Sequence, residues 1–348
     1  MKPNQLKNII YSLILVIAVF AVWKYRQTQE INKAASYVEY QGQTMGTIAY
    51  TVKYIDKEGK NLKISTDSLL KAFNQSLSTY IPDSELSTFN QGTVFPFETE
   101  HFYKVLAASK DVYEATNGAF DPTVGPLVNA WGFGPEGRKT PLEEEIATIK
   151  EKVGFDKIFF DSISVCKLHE GVYLDFSSIA KGYAVDIVAE LLEANNIHNY
   201  LVDIGGELRA KGKNLENLTW RIAIEKPNFE SQVRESSAIL ALENKSIATS
   251  GDYRNYYEKD GKKIAHTINP QTGYPAEQNI LSSTVVAENC MLADAYATAF
   301  MVLGYEASLK VLEQHPEIQV FFIYANDSGE LQTYTSEGLN IEVVDENL

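Results

Sequence analysis

The stretch CMLADAYATAFMVLG, Cys290 to Gly304, sets the strongest limit on what this chain folds into. Ala, Leu, Met and Phe favour helix, no proline interrupts, and Gly304 supplies a stop. Apolar residues lie on every side, which marks a helix buried in a core and not one lying on a surface. Inside it stand Asp294 and Thr298, four apart and therefore on one face. An exposed polar stripe would also carry polar residues at 287, 291, 301 and 305, but these are Ala, Met, Met and Tyr. An unpartnered buried carboxylate costs several kcal/mol. Asp294 therefore needs a cation, a hydrogen-bond network or a solvent-lined cavity. A hard cation held by carboxylate and hydroxyl oxygens fits, since magnesium takes a few protein oxygens and completes its shell with phosphate. An internal hydrogen-bond network fits as well.

A core that deep needs length, and 348 residues allow one large domain or two close-packed lobes. Hydrophobic residues at 45%, with 20 Tyr and 16 Phe, argue against disorder. A net charge of -15 without a basic cluster argues against nucleic acid as a partner. An acidic chain that binds a phosphorylated ligand needs local help from a metal, a helix N-terminus or placed cations. The two cysteines, Cys166 and Cys290, are too few for a disulfide framework and read as buried thiols.

The N-terminus has Lys2 and Lys7, an apolar run from Ile9 to Trp23, then Lys24 and Arg26. The run is short against the roughly 20 residues of a spanning helix, but Trp23 and Tyr25 suit an interface. No small-x-small cleavage site and no lipidation cysteine follow it. We read 1–8 as a cytoplasmic tail, 9–23 as an uncleaved signal anchor in the cytoplasmic membrane, 24–38 as a linker and 39–348 as one domain. That domain is expected to face the periplasm or cell exterior. A cleaved signal peptide is the alternative.

Periodicity predicts strands at 44–55 and in KIFF, VYLDF, YLVDI, TWRIAIE, KIAHTI and LSSTVVAE, with a C-terminal hairpin in IQVFFIYAND and GELQTYTS. Helices are predicted at 65–80, 100–118, 140–154, 178–195 and 290–303. Thr140 is read as the cap of the third, with Pro141 first in the helix and Glu143 closing a capping box. The two kinds of element do not alternate strictly, so the expected class is α+β with mixed, largely antiparallel sheets in two close-packed lobes.

Three further stretches carry chemistry. In LDFSSIAKGYAVD a strand ends at Asp175, Ser177 and Ser178 offer cap hydroxyls, and Lys181 and Gly182 fill the first helical turn. That is either a phosphate seat or an ordinary capped helix with a solvated lysine. GAFDPTVGPLVNAWGFGP (118–135) reads as an ordered loop, whose aromatics either hold a planar ring or pin the loop to the core. KIAHTINPQTGYP puts His266 near a strand end, beside a turn, where it is catalytic or structural. Gly205-Gly206 lacks the G-x-G-x-x-G spacing, and no zinc pattern, P-loop or G-x-S-x-G elbow occurs.

Taken in order, these stretches resemble the ApbE family, the FAD:protein FMN transferases. The resemblance rests on TMGT (44–47), STYIPDSELSTFN (78–90), GAFDPTVGPLVNAWGFGP, VYLDFSSIAKGYAVD, YLVDIGGELRAKG, WRIAIEKP, SGDYRNYYEKDGKKIAHTINPQTGYP and ADAYATAFMVLG. It spans nearly all of 40–305 and implies an ApbE-like fold that binds FAD beside Mg2+. By resemblance, Asp294 and Thr298 match metal ligands, and Ser178 matches a position near the metal through its carbonyl. Met45, Tyr80, Ala119, Phe120, Asp121, Asp175, Lys181 and Ile268 match flavin-nucleotide contacts. His266 matches the histidine of proton transfer. The implied reaction moves FMN from FAD to a threonine hydroxyl in a motif resembling D-x-x-[ST]-G-A-T and releases AMP. Implied acceptors are subunits of sodium- or electron-pumping complexes of the Nqr and Rnf type, or secreted flavin reductases. A magnesium-dependent FAD pyrophosphatase and a non-catalytic flavin-binding protein are the competing readings. Many members look like lipoproteins, whereas this chain carries a plain apolar run.

Overall fold

The computed structural model describes residues 14–24, 36–133, 140–227, 236–251, 256–259 and 262–345. Its frame is an eight-stranded sheet made of β1 (Ser36–Thr44), β2 (Ile48–Asp56), β3 (Tyr200–Ile204), β4 (Glu207–Lys211), β5 (Lys245–Gly251), β6 (Ile280–Ala287), β7 (Gln319–Ala325) and β8 (Leu331–Thr335). The strands are hydrogen-bonded in chain order, and each neighbouring pair is antiparallel. Between β2 and β3 the chain inserts the helices α1 (Lys63–Leu77), α2 (Glu100–Ala115) and α3 (Ala180–Ala194). Between β6 and β7 it inserts α4 (Cys290–Leu303).

Strand alternation separates a core on each face of this sheet, and a third, small core gathers Leu127, Trp131, Ile146, Val153 and Ile268. Val320 and Phe322 of β7 join the large core beneath the helices, while Phe321 and Ile323 face the other way. There they meet Ile222, Ile224, Leu240 and Leu242 of a three-stranded sheet built from Trp220–Glu225, Ser236–Leu242 and Ile341–Val343. The central sheet is thus covered by helices on one face and by a small sheet on the other. The fold is α+β, and two of its cores share the central sheet, one on each face.

α4 lies against β5, β6, α2 and α3, as an all-round apolar helix requires. Its alanines 293, 295, 297 and 299 are fully buried and let these neighbours approach. Its first amides are satisfied from outside the helix. Asp186 of α3 accepts from Cys290 N at 3.0 Å and Met291 N at 2.8 Å, and Asn289 caps Leu292 N at 2.9 Å. Arg209 of β4 donates to Asp186 at 2.9 Å, so helix, helix and strand are tied at one carboxylate. Burial pushes the Asp186 carboxyl up, and these donors oppose the push.

Several elements differ from the sequence reading. The strand predicted at 44–55 is β2 from Ile48 onward, but its first residues are a hairpin turn, because Met45 and Gly46 take positive φ of 47° and 83°; β1 starts at Ser36, inside the presumed linker. VYLDF forms no strand. Its backbone is satisfied by Asn90, which bonds both Leu174 N and O at 2.8 Å, by Lys167 on Val172 O, and by Pro122 O. α3 starts at Ala180, not 178, since the Ser177 hydroxyl is spent on Asp175 at 2.5 Å. The helix placed at 140–154 spans Glu143–Lys150, and Glu145, not Glu143, reaches back to the Leu142 amide. Cys290 is buried as expected, but Cys166 is half-buried. Residues 14–24 are helical, with Ile14, Leu15, Val16 and Ile17 exposed. Among the described residues no helix is long and apolar enough to cross a membrane. Residues 9–13 of the expected anchor lie outside those described.

Candidate active site

The site grows from the contact of α3 with α4. A Cβ on Gly182 would stand 2.2 Å from Cys290 O and 2.9 Å from Asp294 Cβ, so only glycine allows the two helices to touch here. The approach lets Gly182 N donate to Asp294 Oδ2 at 3.0 Å. Gly182→Ala is expected to cost about 3 kcal/mol through overpacking against backbone; urea unfolding of the variant checks this.

One residue earlier, Lys181 points its ammonium at Asp294 Oδ1 at 3.3 Å and at Glu207 Oε1 at 2.5 Å. Glu207 arrives from the sheet. Gly205 and Gly206, with φ of 67° and 103°, make a two-residue turn that pairs Ile204 with Glu207 and sets Glu207 at the start of β4. Its carboxylate is buried, and Oε2 meets no hydrogen-bond partner among the described residues. Burial opposes the Lys181 charge, but Asp294 and Glu207 outweigh it and hold the ammonium above its ordinary value. Burial pushes the Glu207 carboxyl up, with Lys181 opposing and Asp294 adding to the push. One helical turn beyond Asp294, Thr298 Oγ1 lies 3.4 Å from Ser250 Oγ of β5.

These groups open into a cleft of about 680 Å³. Asp175, Ser178 and Lys181 enter it from the approach to α3 and its first turn, and Asp294 and Thr298 from α4. Tyr80 stands at it, strongly exposed. Ala119, Phe120 and Asp121 line it from one loop, His266 and Ile268 from another. Met45 is the predicted residue that does not line the cleft; it packs, half-buried, on the large core at the β1–β2 turn.

Two of the lining carboxylates are already committed to shaping the walls. Asp121 Oδ1 accepts from Thr123 N at 2.8 Å and Thr123 Oγ1 at 2.6 Å, and Oδ2 accepts from Phe155 N at 3.3 Å. Burial pushes its carboxyl up to about 6 against those bonds. Asp175 Oδ1 holds Ser177 through N and Oγ. In the 118–135 stretch the described residues, 118–133, set their aromatics in two kinds of place; residues 134 and 135 lie outside those described. Phe120 and Trp131 are buried, with Trp131 Nε1 on Gly273 O at 2.9 Å, while Phe133 lines the cleft edge-on to His266, centroids 6.2 Å apart.

Sequence reasoning missed Glu207 and Ser250. The Ile-Gly-Gly-Glu run lacks the nucleotide-motif spacing and carries part of the family resemblance, but only as a hairpin turn does it place Glu207 first in a strand. Ser250 carries no local signal, since its role depends on β5 lying beside α4.

Among the described residues no cluster of three or more His, Cys, Asp or Glu gathers. A cation here would rest on few protein oxygens, the Asp294 carboxylate and the Thr298 hydroxyl. That donor set suits magnesium, which takes its remaining ligands from water and phosphate.

The ApbE family model matches residues 45–322. The chain belongs to the ApbE family. Two relatives named FAD:protein FMN transferase are close in sequence. The one from Haemophilus influenzae is 43% identical over 329 residues, covering 90% of this chain and 94% of the relative. The one from Escherichia coli K12 is 39% identical over 312 residues, covering 86% and 88%. The solved structure of the flavin transferase ApbE from Vibrio cholerae superposes with a TM-score of 0.78 at 40% identity, covering 87% of this chain and 98% of that one. The apo flavinyl transferase ApbE of Pseudomonas stutzeri gives the same TM-score at 36% identity, covering 87% and 95%. The α+β architecture described above is therefore the ApbE architecture.

Proposed function

We infer that this ApbE-family chain is an FAD:protein FMN transferase. The observation that carries the reading is the joining of Asp294, Thr298, Lys181 and His266 in one cleft of about 680 Å³, in a chain 43% identical to a relative of that name. An acceptor threonine hydroxyl attacks the phosphorus on the riboflavin side of the FAD pyrophosphate. AMP leaves, and FMN stays on the threonine as a phosphoester. Magnesium would be held by Asp294 and Thr298, with Ser178 as the third proposed position, and would supply charge neutralisation at the pyrophosphate. His266 takes the threonine proton. Tyr80, the Ala119-Phe120-Asp121 run, Asp175, Lys181 and Ile268 are the proposed FAD contacts. Met45 belongs to that set only if the β1–β2 turn bends to the bound ligand.

The proposed acceptors are membrane electron-pumping subunits or secreted flavin reductases carrying the threonine motif. We further propose that residues 9–23 anchor the chain in the cytoplasmic membrane, with the domain outside; the exposed aliphatic side chains of the 14–24 helix support this.

The test mixes purified protein with FAD, magnesium chloride and a threonine-motif acceptor known to be competent. In-gel flavin fluorescence on the acceptor is the expected result, and its absence rejects the transferase. AMP release of equal rate without acceptor would mark a pyrophosphatase instead.

A further inference from the structure

Both oxygens of Asp294 are engaged. Oδ2 accepts from Gly182 N at 3.0 Å, and Oδ1 faces Lys181 Nζ at 3.3 Å. Each oxygen keeps a further lone pair, but a divalent ion on Asp294 Oδ1 is set against the like charge of the Lys181 ammonium, 3.3 Å from that same oxygen. The Gly182 amide belongs to helix backbone packed so closely on α4 that a Cβ there would stand 2.2 Å from Cys290 O. The Lys181 ammonium rides on a flexible four-carbon stem, half-buried at the cleft wall. Lysine is therefore the group that yields. Glu207 gives it somewhere to stay, because Oε1 already binds it at 2.5 Å and Oε2 is buried without a partner among the described residues.

We propose that Lys181 is the resident counter-cation of the metal seat, positioned by Glu207, and that a divalent ion binds Asp294 by displacing it. This rests on the reading of Asp294 as a metal ligand. The exchange has an electrostatic consequence. Two carboxylates and one ammonium leave the metal-free site with a single net negative charge, which repels a diphosphate. With the divalent ion in place and Lys181 retained beside Glu207, the site carries a single net positive charge and attracts it. Metal and dinucleotide thus bind with positive coupling. Glu207 acts as a positioning residue that holds the ammonium through the exchange.

The test is a calorimetric titration with manganese chloride alone, FAD absent, on wild type, Lys181→Met, Lys181→Gln, Asp294→Ala, Glu207→Gln and the Lys181→Met/Glu207→Gln double variant. Both lysine variants should bind manganese about tenfold tighter than wild type, since the competitor is gone. Their metal-free melting temperature should fall, and manganese should raise it by more than in wild type. Glu207→Gln should bind more weakly, because Lys181 is then held by Asp294 alone, and this weakening should vanish in the Lys181→Met background. Lysine variants that bind manganese no tighter than wild type, or not at all, overturn the displacement. A weakening by Glu207→Gln that persists without Lys181 overturns the positioning role. Wild-type binding that survives Asp294→Ala overturns the metal seat itself, which separates the failure of the function reading from that of this inference.

Discussion

Asp294→Ala is expected to reduce FMN transfer to below about a thousandth of wild type, because it removes the one carboxylate aimed from α4 into the cleft and with it the charge neutralisation that phosphoryl transfer depends on. The fold should survive. Lys181 keeps Glu207 at 2.5 Å, so neither charge is left bare. The Gly182 amide loses its acceptor, a cost of about 1–3 kcal/mol. The measurement pairs in-gel flavin fluorescence with thermal unfolding at several magnesium concentrations. Wild type should gain stability with magnesium and the variant should not. A variant that still labels its acceptor would sink the metal reading.

His266→Ala should lower the turnover of transfer by roughly 10² to 10⁴, the range for loss of a general base, with little change in FAD affinity. His266 stands at the cleft edge-on to Phe133, and removing its ring takes away the proposed proton acceptor. Steady-state rates at varied FAD separate the two effects. A raised KM with unchanged kcat would make His266 a binding residue. Partial rescue by added imidazole is the further sign of a proton-transfer role.

The parts of the molecule legible in the sequence were those with local causes. α4 ends where its composition and Gly304 dictate, from Cys290 to Leu303, and its Asp294 is buried, as the all-round apolar pattern requires. The C-terminal hairpin and the YLVDI and LSSTVVAE strands followed from period-two alternation. What stayed hidden was set by distant partners. VYLDF has a strand composition, yet Asn90 and Lys167 satisfy its backbone and no neighbouring strand is needed. Ser177 is a plausible cap until Asp175 captures its hydroxyl. Glu207 gains its meaning only when a Gly-Gly turn brings it to Lys181. The Ile341–Val343 strand, which completes the small sheet, is too short to announce itself.

The chain-ordered sheet also bears on how the protein is made. β2 pairs with β1 at once, through a tight hairpin, but the strand for its other side is Tyr200–Ile204, paired residue by residue from Tyr54 with Tyr200 to Tyr50 with Ile204. Throughout synthesis of the intervening helices, that side of β2 is an open template for any passing strand. A nascent chain halted before Tyr200 is sticky along this edge. One that has passed Lys211 has sealed it with its own backbone, and in the same step has delivered Glu207 to its place.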